Sequence, residues 1–158
     1  ASLRTLSRYA YDLLPLYAEL ITAPAFPAQR LDLERSKLLT ELRENADDAE
    51  YVGRVAFNQA IYEGHPGAQP LLGTPESVRG LAGSDLSAFH GQYFRPGRTV
   101  LAVVGDFSTA EMLEKLTALF SGWEAGKLEA IRMPDLRRQT DVRTRRLTMP
   151  GKSQTQVL

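Results

Sequence analysis

The sequence predicts an α+β fold, and three observations carry that expectation. Apolar side chains recur at helical spacing through most of the first 120 or so residues. One short apolar run, Thr99-Val-Leu-Ala-Val-Val104, breaks that period and has the composition of a buried β-strand. After an aperiodic stretch, residues 142–149 alternate weakly, and Gln154–Leu158 opens a further strand-like segment.

The elements follow in order. In residues 9–22, Leu13, Leu16, Tyr17, Leu20 and Ile21 repeat at helical spacing, and Pro15 belongs in a first turn or at a kink. Pro24 and Pro27 end that helix around Phe26. A second helix covers about residues 28–46, with Leu31, Leu38, Leu39 and Leu42 on its apolar side. Asn45-Ala46-Asp47-Asp48 supplies a break and a new N-cap, and a third helix runs to about Tyr62 with Val52, Val55, Ala56, Gln59 and Ala60 on a partly buried face. Residues 64–70 are loop, rich in turn formers. Thr74-Pro75-Glu76 reads as an N-cap with proline at the first helical position. Ser84-Asp85 starts a helix carrying Leu86, Phe89 and Tyr93, and Pro96-Gly97 turns the chain into the apolar run. Ser108 and Glu111 have capping-box spacing ahead of a helix with Met112, Leu113, Leu116, Leu119 and Phe120 as its core stripe. Residues 124–141 read as a linker.

Composition narrows the function classes. At 158 residues there is room for one domain with a sizeable core, or one domain and the start of another. Nineteen basic side chains balance nineteen acidic ones, which argues against bulk attraction to nucleic acid or an anionic membrane. The basic cluster Arg137, Arg138, Arg143, Arg145 and Arg146 then reads as a solvated connector. No apolar run reaches the roughly 20 residues a membrane-spanning helix needs. The absence of cysteine excludes disulfides, thiolate metal sites and a cysteine nucleophile. The compartment stays open: cytoplasm, periplasm and organelle matrix all suit a soluble protein. The chain begins Ala1-Ser2-Leu3 and stops on an apolar strand, which suggests a missing natural start and a second domain cut short.

Glu34 and Glu41 are the most informative pair. They are seven residues apart, so on one helix their side chains differ by only about 20° around the axis. Two carboxylates on one face can bind a cation, one as ligand and the other orienting it. The alternative is a solvated helix face that does neither. The two histidines, His65 and His90, are 25 residues apart. His65 precedes proline in a loop and reads as a turn residue bonding the backbone. His90 lies beside Phe89 on an amphipathic helix and reads as partly buried and satisfied.

The order of these parts resembles the insulinase/pitrilysin family of zinc peptidases, which includes the mitochondrial processing peptidases. Glu34-Arg35 with Glu41-Leu42 looks like the helix supplying that family's carboxylate zinc ligand. His65-Pro66 followed by Pro70-Leu-Leu-Gly-Thr-Pro-Glu-Ser77 is similar to its His-Pro…Gly-Thr segment. Asp85 to Pro96 resembles its helix ending in an aromatic-x-Pro turn, Leu101-Ala-Val-Val-Gly-Asp106 its signature strand, and Phe120-Ser-Gly-Trp123 its helix end. Met149 to Gln156 looks like the opening of the next homologous domain. The match runs over most of the chain from about residue 13.

The resemblance implies an antiparallel-dominated sheet with helices packed on one face, truncated at its N-terminal side and repeated in tandem. Residues 1–123 would be the C-terminal part of one repeat, 124–141 a linker and 142–158 the first strands of the next. Two or four repeats would enclose a chamber in which peptides or unfolded polypeptides are cut. These peptidases carry His-x-x-Glu-His on a helix, which supplies two zinc ligands and the general base. No such motif occurs here, and in the family it precedes the ligand glutamate by more residues than stand ahead of Glu41. The chain alone therefore holds no catalytic residues and no other cofactor site, and binds no zinc or binds it weakly. In a parent with an active repeat, Glu41 would be the zinc ligand and Glu34 the acid behind it that orients or tunes it. The alternative is a non-catalytic repeat or scaffold subunit that binds substrate or partner chains, the remaining repeats or a sister subunit. A third possibility, an unrelated α+β binding domain, fits composition alone. Exposed strand edges would favour self-association.

Overall fold

The computed structural model describes residues 1–126, 130–136, 138 and 140–152. Among the described residues six α-helices follow one another: α1 (Ser7–Thr22), α2 (Ala28–Ala46), α3 (Ala49–Ile61), α4 (Pro75–Gly80), α5 (Gly83–Tyr93) and α6 (Thr109–Phe120), with single 3-10 turns at Pro66–Ala68 and Pro96–Arg98.

The chain divides into two compact units. In the first, Ala1–Ala28 with Ala82–Ala130, α1 packs against α6. Leu14, Ala18 and Ile21 are buried on α1 at helical spacing, and Met112 is buried on α6. Pro15 falls inside α1 rather than in its first turn, where it has no N–H to give the Tyr11 carbonyl. In the second unit, Gln29–Leu81 with the described residues of Ile131–Leu158, the buried side chains are Leu42 of α2, Ala56 of α3 and Val78 of α4.

Local signals set the helix ends of the second unit. Asp48 caps α3, its carboxylate accepting the N–H groups of Glu50 (2.8 Å) and Tyr51 (3.4 Å). At α4 the Thr74 hydroxyl accepts Ser77 N–H at 3.2 Å, while Ser77 Oγ accepts Thr74 N–H at 2.9 Å. Gly73 leads into this box with φ +73°, and a Cβ there would lie 2.8 Å from Ser77 Oγ. Arg35 of α2 ties the far end of α4 by donating to the Leu81 carbonyl at 2.6 Å and pairing with Asp32.

The structure corrects the expected fold class. Among the described residues there is no strand and no sheet, so the α+β, antiparallel-dominated architecture is not what this chain forms. The run Thr99–Val104 keeps strand-like character only locally: Thr99 is extended, at φ −111° and ψ 132°. Val100 and Val104 are 95% and 97% exposed, while Leu101 and Val103 between them are 38% and 37% exposed, the two-residue alternation of a pleat. A strand exists only as part of a ladder, and no segment among the described residues offers this run a partner. Residues 142–149 form no strand either, and the strand expected at 154–158 lies outside the described residues.

The C-terminal helix is corrected in detail. Ser108 stands at the N-cap of α6 but its hydroxyl makes no capping bond. Of the expected core stripe, Met112 is buried, Leu116, Leu119 and Phe120 are half-buried, and Leu113 is 65% exposed.

Candidate functional site

Helix α2 carries Glu34 and Glu41 without a break between them. Both carboxylates are exposed. Glu34 is held by cations of its own helix, Arg30 at 3.4 Å and Lys37 at 3.2 Å. Glu41 has no hydrogen bond or ion pair among the described residues, while Leu42 beside it is buried. One member of the pair is thus committed to surface ion pairs and the other is free.

Neither imidazole joins them. His65 is the N-cap of the Pro66–Ala68 turn, its Nδ1 accepting Gly67 N–H at 2.9 Å and its ring 5.9 Å from that of Tyr62. Gly67 lies so close that a Cβ would be 3.1 Å from that Nδ1. His90 donates from Nε2 to the Ile21 carbonyl at 2.7 Å, stacks on Phe94 at 4.7 Å and meets Phe26 edge-on at 6.0 Å. Phe26 sits at φ 43°, a conformation rare for an aromatic residue. Both histidines therefore serve the structural roles their sequence contexts suggest.

Among the described residues no group of three or more His, Cys, Asp or Glu gathers where it could hold a metal ion. A zinc centre takes about four ligands, commonly including imidazole, and a lone exposed carboxylate does not fit that requirement. No catalytic step through zinc follows from the residues of this chain.

Two other clusters escaped the sequence. Tyr11 of α1 donates its hydroxyl to Glu111 of α6 at 3.4 Å, and Lys115 Nζ lies 4.8 Å from the centre of the Tyr11 ring. Partial desolvation and the Glu111 carboxylate push the Tyr11 phenol above its ordinary value. Glu111 is the residue whose spacing promised a capping box, and only the juxtaposition of α1 and α6 redirects it. The second cluster is a groove of about 350 Å³ in the second unit, lined by Leu42, Val52, Val55, Ala56, Pro70 and Leu147, with Arg145 at its side. The apolar face of α3 is visible in the sequence; the groove is not, because Arg145 and Leu147 come from residues far along the chain. At α4, hydrogen bonds from its own backbone N–H and from the Thr74 hydroxyl hold the Glu76 carboxyl below its usual range.

The basic cluster is spread along exposed chain. Arg143 pairs with Glu63 at 3.2 Å, and Arg137 lies outside the described residues. No helix among the described residues is long and apolar enough to cross a membrane.

Comparison with known proteins adds an independent line. Residues 81–158 match the family described as the peptidase M16 inactive domain. The chain is 32% identical over 98 residues to an uncharacterized zinc protease of Mycobacterium leprae, covering 62% of this chain and 22% of that protein. It is 24% identical over 126 residues to the non-peptidase homolog YmxG of Helicobacter pylori, covering 80% of this chain and 29% of that one. It is also 27% identical over 120 residues to mitochondrial cytochrome b-c1 complex subunit 1 of Bos taurus, 76% of this chain and 25% of that subunit. The chain thus spans between about a fifth and a third of the length of these relatives.

Proposed function

We propose that the chain is a non-catalytic segment of a protein of the M16 peptidase family, the insulinase/pitrilysin type, and that it helps to wall a peptide-handling chamber. The observation that carries this reading is the use of both imidazoles. His65 is spent on a turn cap and His90 on a helix-end carbonyl, so no histidine is left to ligate metal or move a proton in catalysis. The relatives include proteins named as zinc proteases, a protein named a non-peptidase homolog and a subunit of the mitochondrial cytochrome b-c1 complex. In this reading the chain acts with further repeats of a longer protein or with a sister subunit, and its substrate or client is a peptide or an unfolded polypeptide. Residues 1–123 belong to one repeat, 124–141 link it to the next, and the next opens at 142.

A second reading is favoured by Glu41. On an unbroken helix, exposed and with no partner among the described residues, it can give a carboxylate to a zinc centre whose imidazoles come from outside this chain, with Glu34 beside it. In that case the whole protein is a zinc-dependent metalloendopeptidase.

One experiment separates the two. The full-length protein is expressed with and without Glu41→Gln, and bound zinc and cleavage of an unfolded polypeptide are measured. The non-catalytic reading expects zinc content and any chelator-sensitive cleavage to be the same in both forms. Zinc held stoichiometrically by the natural protein, and lost with its activity in the variant, establishes the second reading and overturns the first.

A further inference from the structure

The turn after α5 meets the start of the connecting segment within the first unit. The Arg95 carbonyl accepts the Arg98 N–H at 3.0 Å and the Thr99 hydroxyl at 2.9 Å, so the backbone that presents the Arg95 side chain is fixed. Beyond α6, Trp123 gives its N–H to the Phe120 carbonyl at 3.0 Å and sets its ring 5.8 Å from that of Phe120, which turns the chain. Gly126 then meets the Arg95 guanidinium. A Cβ on Gly126 would lie 3.2 Å from both Cζ and Nε of Arg95 and 3.4 Å from Nη1. Near-equal distances to three atoms of one plane place that point above the plane, so the flat face of the guanidinium covers the glycine. Gly126 also sits at φ +60°, and its backbone and the close approach both favour glycine. Arg95 is half-buried although charged.

We propose that Arg95 is a clasp that ties residues 124–126 to the first unit and so sets where the connecting segment begins. Opening the clasp hands residues 124–126 to the connection, which then gains about 10 Å of extended chain. Arginine suits this duty because its guanidinium is planar and weakly hydrated and stacks on a flat partner, whereas an ammonium is a strongly hydrated point charge. The inference rests on the reading of residues 124–141 as the connection between repeats, and it gives that connection a built-in control of its length.

The test uses the full-length protein and a glutamate-specific protease, for which substitutions at Arg95 neither create nor remove a site. Cleavage after Glu124, which is exposed at the start of the segment, is timed by mass spectrometry. Arg95→Ala speeds this cut roughly three- to tenfold, because proteolysis follows the population of the opened form. Arg95→Lys does the same, since it keeps the charge and loses the flat face. Gly126→Asn tolerates the positive φ but sets a Cβ against the guanidinium, and it also speeds the cut. The double variant Arg95→Ala with Gly126→Asn is no faster than the faster single one, because both remove the same contact. Cuts after Glu63 and Glu111 keep their natural rates. An unchanged rate in Arg95→Ala, a natural rate in Arg95→Lys, effects that multiply in the double variant, or equal acceleration at every glutamate overturns the clasp. The connection reading has its own readout in the same digest. Pieces that keep their circular dichroism after the cut uphold it whether or not the clasp holds. Pieces that unfold refute it, and with it the clasp's role, even where Arg95 and Gly126 couple.

Discussion

His90 of α5 donates its Nε2–H to the carbonyl of Ile21 at 2.7 Å, closing one of the open ends of α1. Ile21 stands in the last turn of that helix, where carbonyls have no intrahelical partner, and a side chain 69 positions along supplies the missing donor. The imidazole stacks on Phe94 and meets the edge of Phe26, so the bond is sheltered on two sides. The imidazole of His90 thus serves the fold.

That bond gives the first prediction. His90→Phe keeps a ring against Phe94 and removes the donor, and should lower stability by about 1 kcal/mol. His90→Ala loses the stacking as well and should cost more. Urea unfolding measures the difference, and faster amide exchange at the C-terminal turn of α1 locates it. Equal stability of His90→Phe and the natural protein would show that water replaces the imidazole at no cost.

The turns flanking α4 give the second. Gly73→Ala forces a side chain into a positive-φ position against Ser77 Oγ and should destabilise the second unit by about 1–2 kcal/mol. His65→Ala removes a cap and should cost about 0.5–1 kcal/mol, with His65→Asn recovering part of it through its side-chain oxygen. Thermal melts rank the three variants, and a Gly73→Ala melt matching the natural protein would refute the strain argument.

The third concerns pH. The Tyr11 phenol has a raised folded-state pKa, through partial desolvation and then the Glu111 carboxylate. Its contribution to stability is whole below about pH 10 and is lost as pH rises through the higher folded value. Glu76 is the opposite case: its folded pKa is lowered, so its contribution is whole above the ordinary 4.5 and is lost as pH falls through the folded value. Absorbance titration near 295 nm of the natural protein against Tyr11→Phe should place the Tyr11 ionisation above the ordinary tyrosine value, and Glu111→Gln should bring it part of the way back.

The fourth concerns the exposed run. Val100 and Val104 are open to solvent in a segment with no ladder partner among the described residues, the condition under which a chain pairs with another. The 158-residue protein should self-associate at micromolar concentration, and Val100→Lys with Val104→Lys should return it to the 17.5 kDa monomer. Sedimentation velocity decides. A clean monomer in the natural protein would show that the run stays solvated.

Much of the helical layout was legible in the sequence, for a local reason. The range 28–46 read from leucine spacing is the range of α2, and Asp48 and Thr74 cap the helices their sequence positions suggest. Each of these signals acts within about four residues, the reach of a helical hydrogen bond. The family resemblance was legible for a related reason, since it rests on the order and spacing of short motifs. The candidate site was legible only in part: the spacing that places Glu34 and Glu41 on one helix does not reveal that Arg30 and Lys37 occupy the first and leave the second free.

By itself, then, the sequence determined most of the helical layout, the caps of α3 and α4, the structural duties of both histidines and the resemblance to M16 peptidases. Tertiary structure alone decided three things. It left Thr99–Val104 without a ladder among the described residues, because a strand takes its hydrogen bonds from another segment and propensity cannot supply one. It turned Glu111 from its own helix cap to Tyr11, 100 positions away. And it brought Arg145 and Leu147 to the apolar face of α3, because a groove is made of surfaces that meet only once the chain has folded.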